Sequence, residues 1–315
     1  MDVKKILPFL LIIVMLAGCN VLDPCAQRTV FCMDTVMDIQ VWGSQREDAA
    51  DAVVNMLTEL EKTWSATDEA SLLSALNRGE GTPDADQQAF LDRAVKLYKD
   101  TAGAFDPKLG NVIALWGFYD DAYRVPSTEE LAAAKATPKW DLGAIVKGYA
   151  GELAVEILSS YDGIDRAILN FGGNVQTFRG KSNGDQWRIG IQNPNGGDPL
   201  GTLLISGSMA VVTSGDYQRY FEQDGVRYHH ILDPKTGMPA DSGLSSVTVI
   251  YSYGATADAL STALFVMGLE EAVKFWKEST YYPFEAVFVL QDGTIYATEG
   301  VWLSGCEYEV IRRED

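Results

Sequence analysis

The chain has 315 residues, of which 47% are hydrophobic and 22% charged, and its formal net charge is -19. Such a composition can bury a large core, which excludes an intrinsically disordered chain. The excess of carboxylates argues against a nucleic-acid partner, because phosphate backbones need clustered Lys and Arg. It would also repel a polyanionic substrate unless a divalent cation lay between them, so the charge balance points to a metal.

The N-terminus has the pattern of an export signal. Lys4 and Lys5 precede an apolar run over residues 6–16, which is too short to span a bilayer as a helix. The small residues Ala17-Gly18 then precede Cys19. This pattern predicts a lipoprotein signal peptide with lipid, such as palmitate, attached at Cys19; an uncleaved anchor or a simple secretory signal are the alternatives.

We therefore divide the chain into a signal peptide over residues 1–18, a tether over 19–30 and one catalytic domain over 31–315. The protein is expected to be anchored to the membrane through Cys19, facing the periplasm or the cell exterior. The remaining Cys25, Cys32 and Cys306 are odd in number and lack C-x-x-C spacing, which indicates neither a disulfide framework nor a zinc site. Whether Cys25 pairs with Cys32 stays open.

Hydrophobic periodicity predicts helices and strands without strict βαβ alternation, which favours an α+β fold. No G-x-G-x-x-G follows a predicted strand, which disfavours a Rossmann site. In chain order we predict a strand over 36–42, helices over 53–64 and 87–101, a helix opened by the capping box Ser127-x-x-Glu130, a helix over 145–158, strands over 167–171, 187–191, 203–206, 209–213 and 245–251, and a helical pair over 257–267 and 269–278 before two final strands.

The two histidines of the chain, His229 and His230, are adjacent, just before the segment Asp233-Pro234-Lys235-Thr236-Gly237. In a strand their rings would face opposite sides, so at most one can enter a given pocket. A neutral imidazole could accept a proton from an attacking hydroxyl. The alternative is that both are strand residues ahead of an Asp-Pro turn.

Asp258, Ser261 and Thr262 lie on one face of a predicted helix at i, i+3 and i+4. A carboxylate and hydroxyls are oxygen ligands that suit Mg²⁺, with water and a substrate phosphate completing the shell. The alternative is an ordinary first helical turn, with Thr256 as the cap and Asp258 near the positive end of the helix dipole.

Asp141 opens a glycine-containing turn into the helix that carries Lys147. The acid could orient a polar ligand group and Lys147 could approach a phosphate, or Asp141 could be a helix cap. Farther upstream, the segment Leu115-Trp116-Gly117-Phe118 could cover a flat ring or belong to the core. The run Asn170-Phe171-Gly172-Gly173-Asn174 could let the backbone approach a ligand or simply make a turn.

The order of these segments is more specific than any one of them, and together they resemble the FAD:protein FMN transferase (ApbE) family over nearly all of the chain after the signal. The segments that carry the resemblance are Phe31-Cys32-Met33-Asp34-Thr35, Ser71-x-x-Ser74-x-x-Asn77, Gly103-Ala104-Phe105-Asp106-Pro107, Trp116-Gly117-Phe118, Asp141 to Gly148, Asn170 to Gly173, Thr213-Ser214-Gly215-Asp216-Tyr217, His229 to Gly237 and Ala257 to Thr262.

The resemblance implies a T-fold-like α+β architecture, with FAD in a cleft between two intimate lobes. It places FAD contacts at Met33, Thr67, Ala104, Phe105, Asp106, Asp141, Lys147 and Ile231. It places Mg²⁺ ligands at the Ala144 carbonyl, Asp258, Ser261 and Thr262, and a catalytic base at His230 or its neighbour. The chain departs from the family pattern at Asp34, where glycine is usual, and at Thr67, where a tyrosine often contacts the flavin.

The implied activity is a Mg²⁺-dependent transfer of FMN from FAD to a Thr or Ser hydroxyl of an acceptor protein, with release of AMP. Family acceptors are subunits of sodium-pumping NADH:quinone reductases and of Rnf-type complexes. Two alternatives remain at this point. Water could replace the acceptor hydroxyl, which would make an FAD pyrophosphatase, or the protein could be a lipoprotein that binds and delivers flavin without cleaving it.

Overall fold

The computed structural model describes residues 23–181 and 184–314. The predicted signal peptide and Cys19 lie outside this part of the chain. The helices are α1 (Arg46–Trp64), α2 (Leu72–Arg78), α3 (Ala85–Asp100), α4 (Gly110–Trp116), α5 (Thr128–Ala136), α6 (Val146–Ser159) and α7 (Gly254–Glu278). The strands are β1 (Cys25–Cys32), β2 (Thr35–Gly43), β3 (Ile164–Phe171), β4 (Asn174–Phe178), β5 (Trp187–Ile191), β6 (Gly201–Ile205), β7 (Ala210–Gly215), β8 (Tyr220–Gln223), β9 (Val226–His229), β10 (Leu244–Tyr251), β11 (Glu285–Leu290), β12 (Ile295–Thr298), β13 (Leu303–Ser304) and β14 (Glu309–Ile311).

A nine-stranded sheet organises the described residues, in the order β1-β2-β3-β4-β7-β10-β11-β12-β14. Its neighbouring strands are antiparallel except for the parallel pair β12–β14. A small sheet with the order β13-β6-β5 and the hairpin β8–β9 complete the strands. Helices pack against a mainly antiparallel sheet, so the predicted α+β class is confirmed.

The large sheet is covered on both faces, as the alternation of β11 shows. Ala286 and Phe288 belong to the core cluster that contains the helices, whereas Val287 and Val289 pack with the small sheet. A third cluster joins α4 and α5 to the hairpin β8–β9. Strand residues therefore alternate between two apolar layers, which explains why so many of them are buried.

Most predicted elements are confirmed, including the capping box at Ser127 and the break between the last two helices, where Gly268 has φ 75°. The short α2 and α4 and the hairpin β8–β9 were not predicted. The end of the chain holds the strands β11 to β14, not two. Short elements give too few apolar positions for their period to be read from the sequence.

The predicted tether over residues 19–30 is wrong at its C-terminal end. Residues 25–32 pair with β2 along their whole length, and Arg28 forms ion pairs with Glu47 and Asp51 of α1. The folded body therefore begins by Cys25. The extended strand also separates Cys25 from Cys32 by about 24 Å, so these two cannot form a disulfide.

No helix in the described ranges has the length and apolar character needed to cross a bilayer.

The crossing of α6 and α7 positions the site, and it depends on two glycines. A Cβ atom on Gly148 would lie 2.0 Å from the Gly254 carbonyl oxygen, and one on Gly254 would lie 2.3 Å from the Gly148 carbonyl oxygen. These distances leave no room for a side chain at either position. The backbones of the two helices can therefore touch only because both residues lack a Cβ.

We predict that Gly148→Ala lowers the free energy of unfolding by about 1–3 kcal/mol, because the added methyl group forces the two helices apart. Denaturant titration measures this change. Gly180→Ala is the matched control, since a Cβ at Gly180 meets nothing within 4 Å. Equal stability of both variants and the wild type would contradict the prediction.

Candidate active site

Asp258 joins the two crossed helices. Its side chain is only 4% exposed, and its Oδ2 accepts a 2.9 Å hydrogen bond from the Gly148 N–H. Gly148 lies in the first turn of α6, where backbone N–H groups have no helical partner and the dipole is positive. The helix α7 starts at Gly254 after Tyr253, so Asp258 lies beyond its first turn and Thr256 is not its cap. The first-turn alternative is therefore wrong.

Hydroxyl groups form a chain beside this carboxylate. The Ser261 hydroxyl donates to the Asp258 carbonyl (2.8 Å), and the Ser214 oxygen lies 2.8 Å from Ser261 and 3.2 Å from Thr262. A hydroxyl has a single proton to donate. Ser214 must therefore donate to Ser261, and Thr262 must donate to Ser214. This order turns the lone pairs of Thr262 away from Ser214.

The donor set fits Mg²⁺. Among the described residues, no group of three or more His, Cys, Asp or Glu side chains could hold a metal, so a site here relies on one carboxylate. Mg²⁺ typically binds through one or two carboxylates together with substrate phosphates and water. Asp258 and Thr262 supply such oxygens, while the fully buried Ser261 hydroxyl is already engaged by Ser214 and the Asp258 carbonyl.

The Ala144 carbonyl lies at the same helix end. At the start of α6 the Val146 N–H donates to the Leu142 carbonyl and the Tyr149 N–H to the Ile145 carbonyl, whereas the Gly148 N–H donates to Asp258. The Ala144 carbonyl therefore does not receive the Gly148 N–H that a longer helix would give it. The turn before α6 and the early turns of α7 meet, as the predicted metal site requires.

Asp141 is held by two donors in front of α6. Its Oδ1 accepts from the Gly143 N–H (2.9 Å) and its Oδ2 from the Tyr119 hydroxyl (2.6 Å). The cap position of α6 is Ile145, so the helix-cap alternative for Asp141 is wrong. Burial, followed by the charge of Asp141, raises the pKa of Tyr119, which keeps its proton on the hydroxyl. Lys147 donates to the Gly143 carbonyl (3.0 Å), so its ammonium lies near this turn.

A cleft of about 520 Å³ opens next to Asp141, between α2 and α4. Tyr119 and Trp140 line it, and Asn77 clamps Trp140 by bonding both its N–H (2.7 Å) and its carbonyl (2.9 Å). Arg78 and Lys139 also line the cleft and make part of it basic. A polar and aromatic cleft of this size could hold part of a dinucleotide.

The two histidines have different surroundings. His229 ends β9 and is 7% exposed; its Nε2–H donates to the Ala240 carbonyl (3.2 Å), and its ring meets the edge of Phe265 in α7. Burial lowers the pKa of His229 to about 4. This histidine therefore belongs to the interior of the protein.

His230 follows the strand and is half-buried. Its Nδ1–H donates to the Arg219 carbonyl (3.1 Å), which leaves Nε2 as the acceptor. Burial, then the neighbouring charges of His229, Arg219 and Lys147, lower the pKa of His230 to about 3. A ring with this pKa is neutral at pH 7.

The residues expected to contact the flavin are spread around this centre. Met33 lies in the β1–β2 turn with φ 51°, and its N–H donates to Glu61 (2.7 Å). Thr67 is exposed in the loop after α1, next to Ala66, which lines the cleft. Met33 is partly buried and Thr67 is exposed, so neither belongs to the fully buried groups of the site.

The segment Ala104-Phe105-Asp106 lies beside Asp141, because the Asp141 N–H donates to the Pro107 carbonyl (2.9 Å). The Phe105 side chain is 1% exposed and packs in the core, so this residue can offer a ligand only its backbone. Burial raises the pKa of Asp106. Ile231, also buried, follows His230, and its carbonyl accepts from the Ala240 N–H (2.9 Å).

The segment Leu115 to Phe118 belongs to the core, and the run from Asn170 to Asn174 makes a turn, so the alternative to a ligand contact is correct for both. Trp116 and Phe118 are completely buried between α4 and the hairpin β8–β9, so neither covers a ligand. The glycine pair Gly172-Gly173 makes the β3–β4 turn, where a Cβ on Gly172 would lie 2.4 Å from the Thr35 hydroxyl.

Ser214, Tyr119 and Arg219 were not assigned roles by the sequence analysis. Ser214 and Arg219 belong to the segment from Thr213 to Tyr220, and Tyr119 directly follows the aromatic run that ends at Phe118. The density of functional residue types in these segments is the signal that could have identified them. Tyr119 and Asp141 are 22 positions apart, Ser214 and Thr262 are 48 apart, and Arg219 and Phe118 are 101 apart, so the sequence does not reveal the pairings.

Comparison with known proteins gives consistent matches to one family. The sequence profile of the ApbE family matches residues 33–288. The FAD:protein FMN transferase of Treponema pallidum is 33% identical over 293 residues, covering 80% of each chain. The crystal structure of the ApbE protein of Thermotoga maritima superimposes with a TM-score of 0.81 at 34% identity, covering 87% of this chain and 97% of that one. The flavin transferase ApbE of Vibrio cholerae gives 0.77 at 27% identity, with coverage of 88% and 98%.

The N-terminal segment also matches a known pattern. Residues 4–20 fit the prokaryotic membrane lipoprotein lipid attachment site, which includes Cys19. This match agrees with the predicted lipoprotein signal.

We predict that Ser214→Ala weakens Mg²⁺ binding about 10- to 100-fold, because Thr262 loses the partner that orients its hydroxyl. Competition against Mn²⁺, followed by electron paramagnetic resonance, measures this affinity. Ser246→Ala on the neighbouring strand β10 is the control, since the buried Ser246 hydroxyl makes no hydrogen bond to Ser214, Ser261 or Thr262. Equal affinity of the Ser214→Ala and Ser246→Ala variants would show that the hydroxyl chain does not support the metal.

We predict an acid-linked loss of stability from His229. Its folded-state pKa of about 4 lies below the ordinary 6.5, so its contribution is complete above pH 6.5 and is lost as the pH falls towards 4. Between pH 7.5 and 4.5 the wild type should lose about 2–3 kcal/mol more unfolding free energy than His229→Gln. Denaturant titrations at both pH values test this, and parallel losses in the two proteins would contradict it.

Proposed function

The chain belongs to the ApbE family, and on that premise we propose that it is a Mg²⁺-dependent FAD:protein FMN transferase. It cleaves FAD and joins the FMN half, through a phosphodiester, to a Thr or Ser hydroxyl of an acceptor protein, releasing AMP. The observation that carries the proposal is the contact between Asp258 and the Gly148 N–H. It holds the Asp258 carboxylate against the N-terminal end of α6, which carries Lys147 and directly follows the turn with Ala144, while Thr262 lies one turn beyond Asp258 on α7.

Asp258, Thr262 and the Ala144 carbonyl would hold Mg²⁺, with Ser261 and Ser214 supporting Thr262 from behind. When bound, the ion supplies positive charge that offsets the negative charge developing on the pyrophosphate. Lys147 adds a second positive charge at the end of α6, where the helix dipole also favours an anion. These positive groups would offset the repulsion between an anionic substrate and a protein with a net charge of -19.

His230 is the proposed base. Its Nδ1–H is fixed on the Arg219 carbonyl, so the Nε2 lone pair is available to the acceptor hydroxyl. The hydroxyl oxygen attacks the FMN-side phosphorus, the bond from that phosphorus to the AMP oxygen breaks, and the proton passes to Nε2. The ring is neutral at pH 7 and can therefore take up this proton as the new P–O bond forms.

The acceptor and the location complete the proposal. Lipid attached at Cys19 would hold the enzyme on the outer side of the cell membrane, in the periplasm or at the cell exterior. Its acceptors would be extracytoplasmic parts of membrane electron-transport complexes, such as sodium-pumping NADH:quinone reductase or Rnf-type subunits. Tyr119 and Asp141 would orient the dinucleotide at the mouth of the cleft.

We predict that Asp258→Asn lowers FMN transfer at least about 100-fold, and that His230→Gln lowers kcat about 10²- to 10⁴-fold with little change in FAD binding. The assay follows AMP release and protein-bound flavin fluorescence, with and without a candidate acceptor. Asp292→Asn, in the exposed β11–β12 turn, is the control. Unchanged transfer by Asp258→Asn would refute the metal assignment, and AMP release that ignores the acceptor would identify a pyrophosphatase instead.

A further inference from the structure

Arg219 lies where three parts of the site meet. It immediately precedes β8, and its Nη2 donates to the Phe118 carbonyl at the end of α4. Its Nη1 lies 4.0 Å from Asp34 Oδ2 in the β1–β2 turn, and its side chain is 35% exposed. The guanidinium is thus positioned by the backbone of one segment and by the charge of another, while part of it faces solvent.

The same residue orients the proposed base through its backbone. The Arg219 carbonyl accepts from both the His230 N–H (3.0 Å) and the His230 Nδ1–H (3.1 Å). Its charge also reaches the ring, because Arg219 and Lys147 both help to lower the pKa of His230, after burial and His229. Arg219 is therefore hydrogen-bonded directly to the residue that would act as the base.

Asp34 is a weak counter-ion for Arg219. Its side chain is 72% exposed, and at 4.0 Å the pair is loose. Exposed ion pairs of this kind contribute little, because water and salt screen them. A guanidinium has five N–H donors, and its contacts with Phe118 and Asp34 leave some of them available. A pyrophosphate carries more charge than a single carboxylate and can accept two parallel guanidinium bonds.

We propose that Arg219 binds the phosphate oxygens of the dinucleotide substrate, and that Asp34 is the counter-ion that the substrate displaces. This inference rests on the proposed function and adds to it a residue that sets affinity for the phosphate part of FAD. Arg219, in the segment before β8, and Lys147, at the start of α6, would then both bind the phosphates of the substrate.

The test is direct binding of two flavins to the full-length protein, measured by fluorescence quenching within seconds of mixing in Mg²⁺. FAD carries the pyrophosphate and riboflavin carries no phosphate. Arg219→Gln should weaken FAD binding about 10- to 100-fold, as expected for lost hydrogen bonds to a charged group, and change riboflavin binding less than about 2-fold. The backbone contact with His230 is kept in this variant. Arg227→Gln, an exposed arginine of β9, is the matched control and should bind both flavins like the wild type.

A second variant changes affinity in the opposite direction. Asp34 has φ 57°, a conformation that glycine adopts without strain, so Asp34→Gly should fold normally. Freed of its counter-ion, Arg219 should bind FAD about 2- to 5-fold more tightly in this variant. Unchanged FAD binding by Arg219→Gln, an equal loss of both flavins, or weaker FAD binding by Asp34→Gly would overturn the inference. Failure of the wild type to bind FAD would instead refute the proposed function.

Discussion

The architecture of this site depends on a hydrogen bond between a buried carboxylate and the end of a helix. Asp258 is almost inaccessible to water, and its oxygen accepts from the Gly148 N–H at the positive end of α6. A carboxylate removed from water needs a hydrogen-bond donor in place of the water molecules it has lost. The bond forms because Gly148 and Gly254 let the two backbones touch. The hydroxyl chain from Thr262 to Asp258 and the position of Lys147 depend on that crossing.

The negative charge of the protein means that a dinucleotide can bind only where positive groups lie close to its phosphates. With a net charge of -19, the chain cannot hold a dinucleotide through a broad basic surface. Under our proposal the substrate phosphates instead meet the positive end of α6, Lys147 and Arg219, and an ion bound at Asp258 would add to this positive charge. Positive charges that lie directly beside the phosphates are screened by salt less than charges spread over the protein surface. The proposed chemistry takes place where these contributions overlap.

The sequence predicted the helices and strands whose periods are long enough to recognise, and the family resemblance predicted the metal and flavin segments. It could not predict that Asp258 bonds to Gly148, because 110 residues separate them. The roles of Gly148 and Gly254 were also hidden, since a glycine in a helix usually signals only a weak helix former. Ser214 and Arg219 belong to a segment that carries the family resemblance. The orientation of their side chains, however, depends on the register of β7 and on the hairpin β8–β9.

A crystal structure with FAD and Mn²⁺ in place of Mg²⁺ is the most direct test of the central claim. The anomalous signal of Mn²⁺ locates the ion without reference to any assumed chemistry. We expect one peak within about 2.3 Å of oxygens of Asp258, Thr262 and the Ala144 carbonyl, with the FAD phosphates at the same end of α6. A peak elsewhere, or FAD phosphates bound away from the end of α6, would contradict it.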